Sequence, residues 1–252
     1  MNKKIVIKYL NKFLKKINLR ITEIKKPPID FDDVAINIIE NVKPYTMTSI
    51  ERIYAIINSV RYCINNNIVG AFVECGVWKG GSVLAMIETL KSLNINDIDI
   101  YLFDTFEGMP KPGNTDIDLK GNKAINEFRQ KILNIKSSNW CNVSLEFVEN
   151  LISKSGYPSN RIHYVKGMVE ETIPDRRISQ ISILRLDTDW YESTKHELTY
   201  LYPLLVKHGV LIIDDYGHWK GARKAVDEYF GNSHIPIYLH RIDYTGRVTI
   251  KI

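Results

Sequence analysis

The chain has 252 residues, 44% of them hydrophobic, enough to bury one sizeable core, and no run of about eighteen apolar residues that could cross a membrane. Its net charge of +5 is unevenly placed: residues 1–28 hold nine Lys/Arg against the single acid Glu23, and the rest carries 25 basic and 28 acidic residues. The body is therefore near neutral and gives no electrostatic case for a nucleic-acid partner. Cys63, Cys75 and Cys141 lack metal-ligand spacing and no signal-peptide pattern opens the chain, so reduced thiols in a cytoplasmic protein are expected.

In chain order, Val6, Leu10, Phe13, Leu14, Ile17 and Ile21 recur at helical spacing between lysines until Pro27-Pro28. This basic amphipathic helix either packs on its own domain or across an oligomer interface, or lies on the anionic inner face of a membrane through residues 1–26. A homodimer is the expected assembly. A second helix is expected over Asp32–Val42, ending before Pro44. Ser49 is placed to N-cap a third over Ile50–Asn65. Residues 29–70 then read as a helical cap on the ligand side, ahead of a main domain over 71–252.

Phe72-Val73-Glu74-Cys75 reads as a strand running into a glycine turn, Gly76 to Gly81, with a helix from Ser82 to Leu90. The glycines permit positive φ and close backbone approach. Their spacing is not that of a dinucleotide cradle, and the acid Glu74 would repel phosphates while accepting from an ammonium or a hydroxyl. A second apolar strand, from Ile98, ends at Asp104, where an acid in a doubly wound sheet commonly binds both hydroxyls of a ribose. A plain tight turn and a solvated aspartate would explain either feature alone. Two strand-tip acids flanking one glycine turn favour a ligand.

The polar stretch Lys111–Asn122 reads as a mobile flap over the strand ends. A helical run follows it, then Trp140 and a helix over Ser144–Ser155. A third strand spans Arg161–Val165. The strand Ile181–Leu186 ends at Asp187-Thr188-Asp189, a helix spans Thr194–Val206, and after a turn at His208-Gly209 the strand Val210–Ile213 ends at Asp214-Asp215. A helix from Gly221 to Phe230 precedes a hairpin, Ile237–Ile242 and Arg247–Ile250, joined through Thr245-Gly246. Alternating strands and helices imply parallel pairing, so all these acidic ends emerge on one edge of the sheet, where open α/β folds bind ligands. Four carboxylates (Asp187, Asp189, Asp214 and Asp215) repel one another unless a cation joins them. An oxygen-only set suits a hard ion such as Mg2+. If strand geometry persists past Leu186, Asp187 and Asp189 point the same way, and spacing does not separate their roles.

Six segments carry a family resemblance: YTMTSIERIYAIINSVRY, FVECGVWKGGS, YLFDTFEGMP, HYVKGMVEETIP, LRLDTDWYEST and LIIDDYGHWKGARKAVDEY, spanning about residues 45 to 229. Over them the chain resembles the metal-dependent O-methyltransferases typified by macrocin O-methyltransferase, which methylate sugar hydroxyls with S-adenosylmethionine. The resemblance implies a Rossmann-like class I methyltransferase: α/β, with a mainly parallel seven-stranded sheet and a helical N-terminal cap. It places Met47, Thr48, Glu74, Gly76, Val77, Trp78, Ser82, Asp104, Thr105, Phe106, Gly167 and Met168 at S-adenosylmethionine. Asp187, Asp214 and Asp215 fall on the Mg2+ ligands and Asp189 on the base that takes the acceptor's proton. The implied acceptor is a sugar-containing small molecule, nucleotide-linked sugar or glycan. A metal-dependent hydrolase would leave Glu74 and Asp104 unexplained, and a silent sugar-binding module is the remaining rival class.

Overall fold

The computed structural model describes residues 10, 14, 27–133, 137–233 and 235–252. Apart from Leu10 and Leu14, the basic helix expected over residues 6–21 lies outside the described residues. The chain divides after Asp32, and every element named below belongs to Asp33–Ile252.

β1 (Ala71–Cys75), β2 (Ile100–Asp104), β3 (Ile162–Lys166), β4 (Ile181–Leu186), β5 (Leu205–Ile213), β6 (His240–Arg241) and β7 (Arg247–Ile250) form one sheet in the order β3-β2-β1-β4-β5-β7-β6. The first five pair in parallel, and β7 runs antiparallel to both β5 and β6. The order reverses between β1 and β4, so the carboxyl ends of these strands flank the crevice where such sheets bind ligands. The expected seven-stranded, mainly parallel fold is the one observed.

The strands are apolar almost throughout because both faces are covered. Val73, Cys75, Tyr101, Phe103, Leu184, Leu186, Leu211 and Ile213 belong to one core with residues of α6 (Val169–Thr172), α7 (Tyr191–Tyr200) and α8 (Lys220–Ser233). With a period of two, Phe72, Glu74, Ile183, Arg185 and Ile212 fall on the opposite face. That face is covered by α1 (Asp33–Val42), α2 (Ile50–Asn65) and α3 (Gly81–Ser92), which pack on one another, with α2 also touching β4 and β5. The N-terminal helices therefore cover a sheet face, and the segment between α1 and α2 with the first turn of α2 also reaches the strand ends. Ser49 caps α2 as expected, its Oγ accepting from the Arg52 amide at 3.2 Å. Ser144 does the same for α5 (Leu145–Ser153). The run before Trp140 forms α4 (Ala124–Gln130).

Three local expectations change. The helix expected over Thr194–Val206 begins at Tyr191 and stops at Tyr200, and a 3-10 turn over Tyr202–Leu204 contains Pro203, which cannot continue it. β5 consequently starts at Leu205 and runs through His208-Gly209, where φ of 68° at His208 marks an irregularity in the register with β4 instead of a turn. The stretch Lys111–Asn122 is tied down. Its Asp116 is buried and accepts from the amides of Gly113 (2.6 Å) and Tyr191 (2.9 Å), while Ile117 and Asp118 bridge to Lys123 and Trp219. A polar stretch read as a flap is thus a pinned loop against the start of α7.

Candidate active site

A cavity of about 340 Å³ opens at the carboxyl ends of the parallel strands, within the range of small-molecule sites. Of the residues that the sequence places at a ligand, Met47, Thr48, Glu74, Gly76, Val77, Trp78, Ser82, Asp104, Thr105, Gly167, Met168, Asp187, Asp189, Asp214 and Asp215 all line it. Phe106 does not. Its side chain is buried in the protein, and only its amide reaches the site, donating to Asp104 Oδ1 at 2.7 Å.

On the β1–β2 side the chain satisfies itself. Asp104 Oδ2 accepts from the amides of Val77 (2.7 Å) and Trp78 (2.9 Å), so the second strand's acid fastens the loop leaving the first. Gly76, at φ 85°, passes so close to β4 that a Cβ would stand 2.0 Å from the Asp187 carbonyl oxygen. At Gly81 a Cβ would lie 2.6 Å from the carbonyl oxygen of Tyr45. These glycines admit the chain's own backbone, which is what packs the turn tightly against β4 and the segment before α2. Helix α3 starts one residue before the expected Ser82.

On the β4–β5 side the site is built around a residue that the sequence reading passed over. Arg185 is directly opposite Glu74 in the β1–β4 register and fully buried. Its Nη1 donates to Glu74 Oε1 (2.9 Å); its Nη2 lies 2.8 Å from Asp187 Oδ2, 2.6 Å from Asp214 Oδ1 and 3.4 Å from Thr48 Oγ1. Arg52, from the first turn of α2, contacts Asp214 Oδ2 and donates from Nε to Asp243 Oδ2 at 3.0 Å. An arginine in a strand of otherwise buried residues, two positions before an acid, was the available signal. Buried guanidinium groups are paired, and paired acids were at hand.

Two guanidinium groups thus stand among six carboxyl groups: Glu74, Asp187, Asp189, Asp214, Asp215 and Asp243. Burial pushes Asp187 and Asp215 well above the usual carboxylate range, reinforced by their acidic neighbours and opposed by Arg185. Burial and then Asp187 push Asp189 up to about 7, against hydrogen bonds to Asp215 and Trp219. Glu74 is likewise raised to about 7, by burial above all, and its Oε2 is buried without a hydrogen-bond partner.

Oxygen atoms of Asp187, Asp214 and Asp215 lie within 4.8 Å of one another, the one such acidic cluster among the described residues. The fit to a hard divalent cation is good: all donors are carboxyl oxygens, and the carboxyl groups outnumber the two arginines paired with them. Strand geometry does not persist past Leu186. Asp189 has φ of 67°, a conformation uncommon outside glycine, and its amide donates to Asp215 Oδ2 at 3.2 Å. The expectation that Asp187 and Asp189 point the same way therefore has no strand to rest on.

Aromatic side chains flank the acids. Trp140, Trp190 and Trp219 pack edge to face with centroids 5.0–6.1 Å apart, and Trp140 and Trp219 line the cavity. Cys63 and Cys75 are buried free thiols, while Cys141 lines the cavity, pushed up to about 12 by burial. Among the described residues no helix is long and apolar enough to cross a membrane.

Comparison with known proteins agrees with this geometry. Residues 12–250 match the family described as Macrocin-O-methyltransferase (TylF). The chain is 32% identical over 202 residues to demethyldecarbamoylnovobiocin O-methyltransferase of Streptomyces niveus, covering 80% of this chain and 74% of the relative. It is 27% identical to mycinamicin III 3''-O-methyltransferase of Micromonospora griseorubida over 80% of this chain and 76% of that one. Among solved structures, the O-methyltransferase NovP superposes with a TM-score of 0.72 at 30% identity over 82% of both chains. The calicheamicin methyltransferase CalS11, at 15% identity, 90% and 94% coverage and a TM-score of 0.60, shares the fold. The chain belongs to the macrocin O-methyltransferase family and is an S-adenosylmethionine-dependent O-methyltransferase.

Proposed function

We propose that the chain methylates a sugar hydroxyl with the help of Mg2+ held by Asp187, Asp214 and Asp215. The observation that carries this reading is the convergence of those three carboxylates, on the ends of two neighbouring strands, in the same cavity as the glycine turn and Asp104. One relative supports the acceptor class by name: a 29%-identical enzyme from Streptomyces olivaceus named for the 4'-oxygen of a dimethoxyrhamnosyl-tetracenomycin.

When bound, S-adenosylmethionine supplies an electrophilic methyl group and Mg2+ a divalent charge that lowers a hydroxyl's pKa. The chain supplies orientation and a proton acceptor. Asp104 keeps acceptor capacity on Oδ1, which takes one backbone amide and a Thr105 hydroxyl at 3.4 Å, and it faces the cavity where ribose hydroxyls need acceptors. Val77, Trp78 and Ser82 lie around it on the turn and at the start of α3, with Met47, Thr48, Gly167 and Met168 on the cavity's other walls. Asp189 stands beside the acidic cluster, held by its own amide on Asp215 and by the Trp219 indole. Burial raises the proton affinity of Asp189 above that of a free carboxylate, which suits an acceptor of a hydroxyl proton. Trp140 and Trp219 offer flat apolar faces next to it, suited to the C–H face of a sugar ring. Residues 1–26 serve location or assembly and take no part in the chemistry.

Heat stabilisation by S-adenosylmethionine, Mg2+ and simple sugars, each alone and combined, tests the reading. We expect S-adenosylmethionine and Mg2+ each to raise the melting temperature independently. Stabilisation by Mg2+ with no response to S-adenosylmethionine would point to the hydrolase class instead.

A further inference from the structure

Both oxygens of Asp214 are already taken: Oδ1 by Arg185 and Oδ2 by Arg52. A divalent cation on Asp214 competes with both guanidinium charges for one carboxylate, and the partner that moves is the one not locked in place. Arg185 is fixed, being fully buried on the sheet and shared with Glu74 and Asp187. Arg52 is differently placed. It lines the cavity, reaches in from α2, and has a second carboxylate to hold it, Asp243.

Asp243 is a prepared anchor. Its Oδ1 accepts from the amides of Thr245 (2.9 Å) and Gly246 (2.7 Å), and its Oδ2 from Ser49 Oγ (2.8 Å) as well as Arg52 Nε. Gly246 leaves the space for the arginine stem, since a Cβ there would stand 2.8 Å from Arg52 Cδ. Released from Asp214, the guanidinium keeps a charged partner and stays neutralised at the cavity wall.

We propose that Arg52 is a resident counter-cation of Asp214, which it neutralises in the metal-free chain and yields to a divalent cation while remaining on Asp243. This rests on the reading of Asp187, Asp214 and Asp215 as the Mg2+ site. It makes Arg52 a positioning residue whose charge competes with the metal. A unit positive charge touching a ligand carboxylate weakens divalent binding by at least roughly tenfold at the effective dielectric of such sites.

Calorimetric titration of MgCl2 into the cofactor-free protein tests this without turnover. Arg52→Met, which keeps the length of the side chain and removes its charge, should bind Mg2+ about tenfold more tightly than the wild type. Asp243→Asn, which keeps an oxygen for the Thr245 and Gly246 amides but loosens the anchor, should leave Arg52 more firmly on Asp214 and weaken Mg2+ by a few-fold. Opposite signs support the exchange. If Arg52→Met binds Mg2+ equally or more weakly while the wild type binds it, the proposal falls and the triad stands. If the wild type shows no saturable Mg2+ binding, the triad reading itself falls. Should Arg52→Met not fold, Asp243→Asn decides: weaker binding supports the exchange, and unchanged or tighter binding overturns it.

Discussion

The two halves of the strand-end crevice solve the burial of acids in opposite ways. At the ends of β1 and β2, Asp104 is surrounded by amides of its own chain and holds the turn in shape before any ligand arrives. At the ends of β4 and β5, burial and then mutual repulsion hold the carboxyl groups of Asp187, Asp189 and Asp215 above the usual range. The first half is preorganised at Asp104. The second retains an electrostatic deficit that a cation would relieve.

The contrast breaks most visibly at Asp189. Asp189→Asn should bind S-adenosylmethionine and Mg2+ normally yet turn over roughly 10²–10⁴-fold more slowly, as expected for loss of a general base. Asp187→Asn should instead bind Mg2+ weakly and regain part of its activity as Mg2+ is added. Kinetics at several Mg2+ concentrations separates the two, and exchanged responses would exchange the roles.

Arg185→Met should be the next largest effect, this time on stability. It strands Glu74, Asp187 and Asp214 without their shared cation, and breaking a buried pair from one side costs about 3–5 kcal/mol, readable by urea unfolding. Asp104→Ala leaves three amides on the other half without acceptors, and a loss of about 2 kcal/mol is expected in the same experiment.

The smallest effect is one of pH. Metal ligands must be deprotonated to bind, and burial makes Asp187 and Asp215 hold their protons to higher pH than free carboxylates do. Raising the pH draws those protons off, so the rise in melting temperature on adding Mg2+ should be larger at pH 8 than at about pH 5.5. The stabilisation by S-adenosylmethionine should change less, because its half holds Glu74 as a single raised acid and no cluster.

What was legible in the sequence is what local pattern encodes. Alternating strands and helices gave the parallel sheet, and strand-tip acids gave Glu74, Asp104, Asp187, Asp214 and Asp215 at one cavity, because a parallel sheet brings its carboxyl ends to one edge. The counter-charges were not legible in this way. Arg52 and Arg185 lie 133 positions apart, and only the register of β4 with β5 and the packing of α2 put both on Asp214. Asp116 misled for a related reason. Its stretch is polar in composition, yet one buried carboxylate accepting two amides fastens it. At Phe106 the family pattern points to a residue next to the cavity-lining Asp104 and Thr105, but the backbone at φ 52° turns its amide to Asp104 while the ring is buried in the protein.

The central claim is that the crevice has two separable binding halves, and calorimetry on Asp104→Ala and Asp215→Asn, each titrated with S-adenosylmethionine and with Mg2+, tests it most directly. The predicted result is a crossed one: Asp104→Ala loses affinity for S-adenosylmethionine and keeps Mg2+, whereas Asp215→Asn loses Mg2+ and keeps S-adenosylmethionine. Loss of both ligands in both variants, or unchanged Mg2+ binding in Asp215→Asn, would contradict it.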